Sequence, residues 1–243
     1  MRLQMKRLGK LASLLVVSVS ANTFAVDAGF MDALASDARP QEDKMRDGAR
    51  RPVQVMSLLG VDAGMTAVDV GAGGGWYTEV LSAAVGPSGT VVSQAGPRAL
   101  QRNDGAAPKA KAARLGNVEL SFESLDALTP NSADVAVTAL SLHDQFNYRG
   151  EEGAIAFLTG IYDVLRSGGV AAIIDHEGDA NMNNMDLHRI PAVEARRLID
   201  LVGFEIIEES DLLHTAADNH TTSIRDPALG RNTDRFLFLV RKP

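Results

Sequence analysis

The chain of 243 residues contains no cysteine. It therefore has no disulfide, no thiolate nucleophile and no cysteine-ligated zinc or iron–sulfur centre, and a metal would need His, Asp or Glu ligands. Aromatic residues are few, at 5% of the chain. Hydrophobic residues nevertheless make up 45%, which is enough to fill a large core. Extensive disorder is therefore excluded.

Positive charge is also scarce. The chain has 24 Lys and Arg against 31 Asp and Glu, a formal net charge of -7 and a pI of about 5.2. This balance predicts no basic surface that would neutralise a nucleic-acid backbone. We therefore expect a small-molecule partner and no nucleic acid.

The first 25 residues differ from the rest of the chain because they carry four basic residues and no acidic ones. A basic stretch to Lys10 precedes an apolar run, and small residues suited to cleavage follow at Ala21 and Ala25. The uncharged run over 11–26 has 16 residues, fewer than the roughly 20 that span a bilayer. We predict a signal peptide over 1–25, a periplasmic or secreted protein, and no stable membrane span after processing. Loss of the four positive charges takes the net charge from -7 to -11.

Short β-branched runs alternate with helical patterns through the remainder of the chain. The alternation predicts one domain over 26–243, an α/β three-layer sandwich around a seven-stranded, mostly parallel sheet. The first five strands are expected to be buried and parallel. The predicted strands are 66–70, 89–93, 117–122, 134–140, 169–175, 204–210 and 235–241.

The segment VDVGAGGGWYT at 68–78 follows the first predicted strand and opens a helix. Its glycines Gly71, Gly73 and Gly75 would let the backbone approach a ligand closely, because a Cβ would collide there. A nicotinamide-binding fingerprint needs glycine three positions after Gly73, where this chain has Trp76. An NAD-dependent oxidoreductase is therefore disfavoured.

With Asp69 two residues before Gly71, the pattern Asp-x-Gly-x-Gly-x-Gly resembles the first motif of class I S-adenosylmethionine-dependent methyltransferases. The resemblance covers almost the whole mature chain. The chain is also similar to a group of exported or predicted methyltransferases. The resemblance implies their fold, with an antiparallel last strand, S-adenosyl-L-methionine as cofactor, and methyl transfer to an unidentified small-molecule acceptor by direct displacement. The other segments that carry it are 52–92, LHD at 142–144, LRSGGVAAIIDH at 165–176, LHRI at 187–190 and 218–236.

The resemblance also implies cofactor-binding residues. Asp69 would organise the glycine loop, and Glu123 with Ser124 would contact the adenine unless they form a solvated turn. Gln94 stands where the family has an acid that binds the ribose hydroxyls. An amide forfeits a charge-assisted hydrogen bond, so Gln94 is either a weaker ligand or an ordinary loop amide.

All five histidines are expected in connections that leave the carboxyl ends of the parallel strands, the edge where such sheets bind ligands. One interpretation makes His143 a general base beside Asp144. A second is a metal site, although no compact ligand pair is visible and no metal is assigned. A third is hydrogen bonding and pocket lining without catalysis. The other four are His176, His188, and, in a predicted binding loop over 211–234, His214 and His220.

Other residues near the motifs have simpler interpretations. Arg46, Arg50 and Arg51 either cover the pocket or hold an anionic substrate, or they form the basic face of a solvated helix, which is the interpretation we expect. Trp76 and Tyr77 either line the cofactor cavity or pack on a neighbouring element. The alternative function is a noncatalytic metabolite-binding module on the same fold. Gln94 favours this alternative, as does export, because the cofactor is made in the cytosol. The acceptor and the oligomeric state are not predicted.

Overall fold

The computed structural model describes residues 28–230 and 232–243, so the predicted signal peptide lies outside the described residues. A seven-stranded sheet forms the centre, in the order β3-β2-β1-β4-β5-β7-β6. The strands are β1 Thr66–Val70, β2 Thr90–Gln94, β3 Val118–Ser121, β4 Ala133–Ala139, β5 Leu165–His176, β6 Glu205–Ser210 and β7 Arg235–Arg241.

The predicted sheet is confirmed. Strands β1 to β5 pair in parallel, and β7 is antiparallel to both β5 and β6. Each predicted strand lies within a few residues of an observed one. The prediction that all of the first five strands are buried is wrong for β3, whose residues are partly exposed because it forms one edge of the sheet.

Helices cover both faces of the sheet. The long helix α7 follows β4 and is interrupted at Gly150, where φ is 70°. Helix α9 ends at Gly203, whose φ of 95° stops the helix in the left-handed region. The helices are α1 Ala28–Ala35, α2 Gln41–Lys44, α3 Asp47–Arg50, α4 Pro52–Leu59, α5 Trp76–Val85, α6 Ala106–Arg114, α7 Leu142–Val164, α8 Asn184–Leu187 and α9 Ala192–Val202.

Two hydrophobic cores lie on opposite faces of the sheet, as a three-layer sandwich requires. One packs α1, α4 and α5 against residues such as Ala67, and the other packs α7 and α9 against the next residue along β1, Val68. This alternation follows from the two-residue period of a strand. Among the described residues, no helix is both long and apolar enough to cross a membrane.

Candidate functional site

The glycine loop after β1 is anchored by Asp69, which is 3% exposed. The Thr78 hydroxyl donates to Asp69 Oδ2 at 2.6 Å and lies 2.9 Å from the Ser93 hydroxyl. Burial raises the pKa of Asp69 to about 6, against the opposing effects of the Thr78 hydrogen bonds and the Arg50 charge. Asp69 therefore connects the end of β1 to the first turn of α5 and so fixes the two ends of the glycine loop.

The three predicted glycines all have positive φ, at 67°, 56° and 75°. A Cβ at Gly71 would lie 2.7 Å from Ser141 Oγ, and one at Gly75 would lie 2.9 Å from Lys111 Cδ. At Gly73 the nearest atom would be 3.9 Å away, and Gly74 would meet nothing within 4 Å. The loop therefore packs tightly against the protein at its two ends and presents bare backbone to open space between them.

Gln94 at the end of β2 connects two neighbouring loops. Its Oε1 accepts a hydrogen bond from the Gly71 N–H at 3.0 Å, and its Nε2 donates to the Glu123 carbonyl at 2.9 Å. An amide can make both bonds, whereas a carboxylate has no proton to donate to a carbonyl. The structure thus gives a physical reason for the amide at this position.

A cavity of about 460 Å³ lies over the carboxyl ends of β1, β2 and β3. We call it the loop cavity. The predicted residues Gly71, Gln94 and Ser124 line it, whereas Glu123 is exposed and contributes its carbonyl to Gln94. Sequence reasoning missed the lining residues that follow β3 and β4, because no local motif marks them. These are Asp126, Ser141, Gln145, Arg149 and Phe157.

A second cavity, of about 600 Å³, adjoins the loop cavity at the turn after β4. Leu140 lines the second cavity, and the next residue, Ser141, lines the first. Leu140 has a φ of 60°, which non-glycine residues rarely adopt. We call the second space the arginine cavity. Its other walls include Glu42, Met45, Arg46, Arg50, His176, Ile224, Asn232, Thr233 and Arg235.

Arg46 and Arg50 line the arginine cavity, so the pocket alternative fits them better than the expected solvated face, whereas Arg51 is exposed. The Arg50 guanidinium lies 4.8 Å from the centroid of the Trp76 ring. Burial and the positive charges of Arg46 and Arg235 lower the pKa of Arg50 to about 10. The local pattern did not decide between the alternatives because Arg235, the third arginine of the cluster, is distant in sequence.

His143 is held between two carboxylates. Its Nδ1 lies 2.7 Å from Asp175 Oδ1, and its Nε2 lies 3.2 Å from Asp144 Oδ1. Burial disfavours charge on the ring, but the two carboxylates outweigh it and raise the pKa of His143 to about 10. His143 is therefore protonated at neutral pH, and it must lose that proton before it can act as the predicted general base.

His188 completes a trio with His143 and Asp144, whose ligand-type atoms all lie within 4.8 Å of one another. Its Nδ1 is 3.5 Å from Asp144 Oδ1, and its Nε2 is 3.0 Å from the Tyr148 hydroxyl. Such side chains can ligate a transition metal, and the sequence did not show this proximity. The trio is also complete as an ion-pair network with a protonated His143, and we assign no metal to it.

His176, the last residue of β5, is the histidine that faces the arginine cavity. Its Nδ1 lies 2.8 Å from the Thr233 hydroxyl. Burial, together with the positive charges of Arg235 and His143, holds the pKa of His176 well below its usual value. The cavity wall therefore carries an imidazole that stays neutral at neutral pH.

The expectation that all five histidines share one edge of the sheet is confirmed. His214 Nδ1 lies 3.0 Å from one oxygen of Asp234, and His220 Nε2 lies 2.8 Å from the other. Asp234 immediately precedes β7 and accepts these contacts at the same edge as His176. The packing interpretation of Trp76 and Tyr77 is also confirmed, since both are buried in the core beside α4.

A sequence profile of the protein-L-isoaspartate (D-aspartate) O-methyltransferase family matches residues 51–122, which contain the glycine loop. Among solved structures, a SAM-dependent methyltransferase from Aquifex aeolicus is similar at 20% identity and a TM-score of 0.60. That match covers 84% of this chain and 99% of the other. The fold is that of the class I methyltransferases.

Two other structures share this methyltransferase fold. The [4+2]-cyclase SpnF is 19% identical, with a TM-score of 0.58 over 88% of this chain and 91% of the cyclase. A possible exported protein from Bordetella parapertussis is 15% identical, with a TM-score of 0.53 over 82% of this chain and 68% of that chain. No curated protein sequence matches this chain significantly. The expected resemblance is therefore confirmed for the fold, and the chemistry has to be argued from the site.

Proposed function

We propose that the protein is an S-adenosyl-L-methionine-dependent methyltransferase that acts on a small molecule. The observation that carries this proposal is the loop cavity, where Gly71 of the glycine loop lies beside polar side chains at the carboxyl ends of β1, β2 and β3. Its volume of about 460 Å³ falls within the range of small-molecule sites. Gly73 and Gly74, next to the cavity in sequence, leave bare backbone with no protein atom closer than 3.9 Å to an added Cβ.

The bound cofactor would supply an electrophilic methyl group, whose transfer to an acceptor lone pair breaks the methyl–sulfur bond and releases S-adenosylhomocysteine. In this proposal Asp69 keeps the glycine loop in shape through Thr78, and Gly71, Gly73 and Gly75 let the backbone approach the cofactor. Gln94 joins the loops after β1 and β3 at the edge of the loop cavity. Ser124 lies on the wall assigned to adenine, and Glu123 supports that wall through its carbonyl.

The acceptor would occupy the arginine cavity, on the other side of the Leu140–Ser141 turn. Methyl transfer depends strongly on alignment, and orientation alone can contribute about 7–11 kcal/mol to lowering a barrier. His176 on the same wall is neutral and would hydrogen-bond the acceptor, because its lowered pKa makes it a weak base. His143 stays a predicted base, but at neutral pH its charged form better suits a positioning role between Asp144 and Asp175.

Export remains part of the proposal, based on the basic and apolar segment over 1–25. It also keeps the rival function open, because an exported chain would bind a cofactor that is made in the cytosol. The rival is a binding module without turnover, and the Gln94 contacts support it, since that amide is already engaged with the Gly71 N–H and the Glu123 carbonyl.

Calorimetric titration with S-adenosylmethionine and S-adenosylhomocysteine tests the cofactor site first. Ser124→Trp places a large ring at the loop cavity, and Thr129→Trp adds the same ring at another exposed position of the β3–β4 connection. We expect micromolar binding in the parent and the Thr129 variant, and at least tenfold weaker binding in the Ser124 variant. Equal affinities in both variants, or no binding to the folded parent, would reject the proposed site.

Turnover separates the enzyme from the rival. The proposed enzyme releases S-adenosylhomocysteine when it is supplied with the cofactor and a metabolite extract, and heat-denatured protein does not. Cofactor binding without this release across extracts from the source compartment would support the binding module instead. The Asp69→Ala variant should lose both cofactor binding and the release of S-adenosylhomocysteine, because it removes the side chain that anchors the glycine loop.

A further inference from the structure

The arginine cavity is strongly positive in a protein whose net charge is -7. Arg46, Arg50 and Arg235 line it, and Glu42 is the carboxylate among its described lining residues. His176 adds no charge at neutral pH because its pKa is held well below the usual value. The wall therefore carries about two net positive charges. Because the net negative charge already favours solubility, solubility does not explain this local cluster of positive charge.

Arg50 is held by stacking. Its guanidinium lies 4.8 Å from the Trp76 ring centroid and 5.9 Å from that of Tyr77. Among the described residues, no carboxylate lies within 4.0 Å of it, although guanidinium groups in such half-buried positions are usually paired. The stacking orients the group and leaves its N–H donors available to a ligand.

The other two arginines are also held by the protein. Arg235 donates to the Ala49 carbonyl at 3.1 Å and to the Thr233 hydroxyl at 3.2 Å. Arg46 lies 3.5 Å from Asp43, but that carboxylate is already engaged by the buried ammonium of Lys111. The three guanidiniums repel one another, and an anion between them would relieve that repulsion.

The segment that carries Arg46 and Arg50 is fixed to the rest of the protein. Trp76 Nε1 donates to the Asp43 carbonyl at 3.0 Å, and Lys111 binds the Asp43 carboxylate. Arg39, which is 2% exposed, donates to the Asp47 carboxylate through its two terminal nitrogens, Nη1 and Nη2. The arginines are therefore in place before a ligand arrives, which lowers the entropy cost of binding.

We propose that the arginine cavity binds its ligand through an anionic group, a carboxylate or a phosphate, that is held by Arg46, Arg50 and Arg235. Guanidinium groups match both anions because they present parallel N–H donors. Apolar walls at Met45 and Ile224 would take the body of the same molecule. The identification of this ligand as the methyl acceptor rests on the proposed function, whereas anion binding itself does not.

The single tryptophan reports on the site directly, since Trp76 stacks under Arg50. Cofactor-free protein is titrated with benzoate, phenyl phosphate and benzamide while its fluorescence is followed, at constant ionic strength set by chloride. We expect a saturable change with at least one of the two anions and none with benzamide, the neutral analogue of benzoate. The two anions distinguish a carboxylate site from a phosphate site.

Two variants remove charge from the cavity, Arg50→Gln and Arg46→Gln, and the second keeps the stack on Trp76. A matched control, Arg166→Gln, removes the same charge from an exposed ion pair with Asp134. We expect calorimetry to show anion binding at least tenfold weaker in both cavity variants and unchanged in the control. Circular dichroism checks that each variant is folded.

An equal response to benzamide, or equal affinities in the cavity and control variants, would overturn the proposal. Failure of the proposed function is seen separately, in the cofactor titration. Anion binding without cofactor binding would support the anion site and remove its role as an acceptor site. Cofactor turnover with neutral acceptors and no anion binding would overturn the anion site and leave methyl transfer standing.

Discussion

Asp175 holds His143 at two points, the backbone and the ring. Its Oδ2 accepts from the His143 N–H at 2.8 Å, and its Oδ1 lies 2.7 Å from Nδ1 of the same residue. Asp175 is fully buried at the end of β5, and His143 opens α7 after β4. This pair fixes the start of α7, whose first turns also line the loop cavity.

Asp175→Asn should lower the free energy of unfolding by about 3–5 kcal/mol at pH 7, because it leaves a buried imidazolium with one carboxylate fewer. Urea denaturation measures the change. Asp186→Asn, an exposed carboxylate in α8, is the matched control and should change stability by about 0.5 kcal/mol or less. Similar losses in the two variants would contradict the role assigned to the pair.

The raised pKa of His143 predicts a pH dependence of stability. The pKa of about 10 in the folded protein exceeds the unfolded value near 6.5, so the folded state binds more protons between these values. Its stabilising contribution is complete below about pH 6.5 and is lost as the pH rises through 10. His143→Gln should flatten this part of the urea-denaturation profile. An unchanged slope in the variant would show that another group causes it.

If His143 is the general base, as the sequence predicts, the rate of the chemical step should rise as its proton is lost toward pH 10. A positioning role predicts activity that falls over the same range, because the charged ring holds Asp144 and Asp175. Single-turnover rates across pH distinguish these outcomes. The same profile measured for His143→Gln shows whether the observed ionisation belongs to His143.

The raised pKa of Asp69 predicts a second pH dependence of stability, at acidic pH. Its pKa of about 6 lies above the unfolded value near 3.8, so the folded state binds more protons and stability falls as the pH rises from about 4 to 6. Asp69→Asn keeps an acceptor for Thr78 and removes the ionisation. We expect a flatter stability profile over this range in urea denaturation. A variant with the parent's slope would be inconsistent with a buried, titrating Asp69.

Lys111 should be essential for the segment that precedes α4. Its ammonium is buried between Asp43 and Glu79, so Lys111→Met leaves two carboxylates without their shared cation. The expected loss is about 3–5 kcal/mol at pH 7. Lys109→Met, which removes an exposed ion pair with Asp104, should cost about 1 kcal/mol or less. Thermal and urea unfolding at pH 7 compare the two, and equal losses would contradict the role assigned to Lys111.

Gly71→Ala should destabilise the loop by about 1–2 kcal/mol from the left-handed backbone alone, and more from the contact with Ser141. Gly74→Ala is the matched control, because its Cβ would meet no protein atom within 4 Å. We expect only the Gly71 variant to show a clearly lower melting temperature. Comparable losses would mean that the close approach at Ser141 does not constrain the loop.

The sheet could be predicted from sequence because its strands are short, β-branched runs whose pattern is local. Thr66–Val70 is such a run, and it matches the predicted strand 66–70. The glycine loop was equally visible, since three positive φ angles need glycine within five residues. Local patterns therefore predicted the strands and the glycine loop, whereas the antiparallel last strand was implied by the family resemblance.

The remaining features depend on contacts between distant residues. From sequence, Gln94 was expected to be a weaker cofactor ligand or an ordinary loop amide. In the structure its side chain hydrogen-bonds to Gly71 and Glu123, which lie in two other loops. Arg50 looked solvated because Trp76 is 26 positions away in sequence and the third arginine, Arg235, comes from β7. No periodicity within one segment reports such proximity, so tertiary packing decides these roles.

The turn at Leu140 and Ser141 contributes one residue to each of the two cavities. Leu140 adopts a left-handed backbone that costs about 1 kcal/mol or more for a residue with a branched side chain. Glycine would adopt this backbone without strain, but it would present no side chain to the arginine cavity. The strained backbone therefore lets two successive residues line two neighbouring spaces.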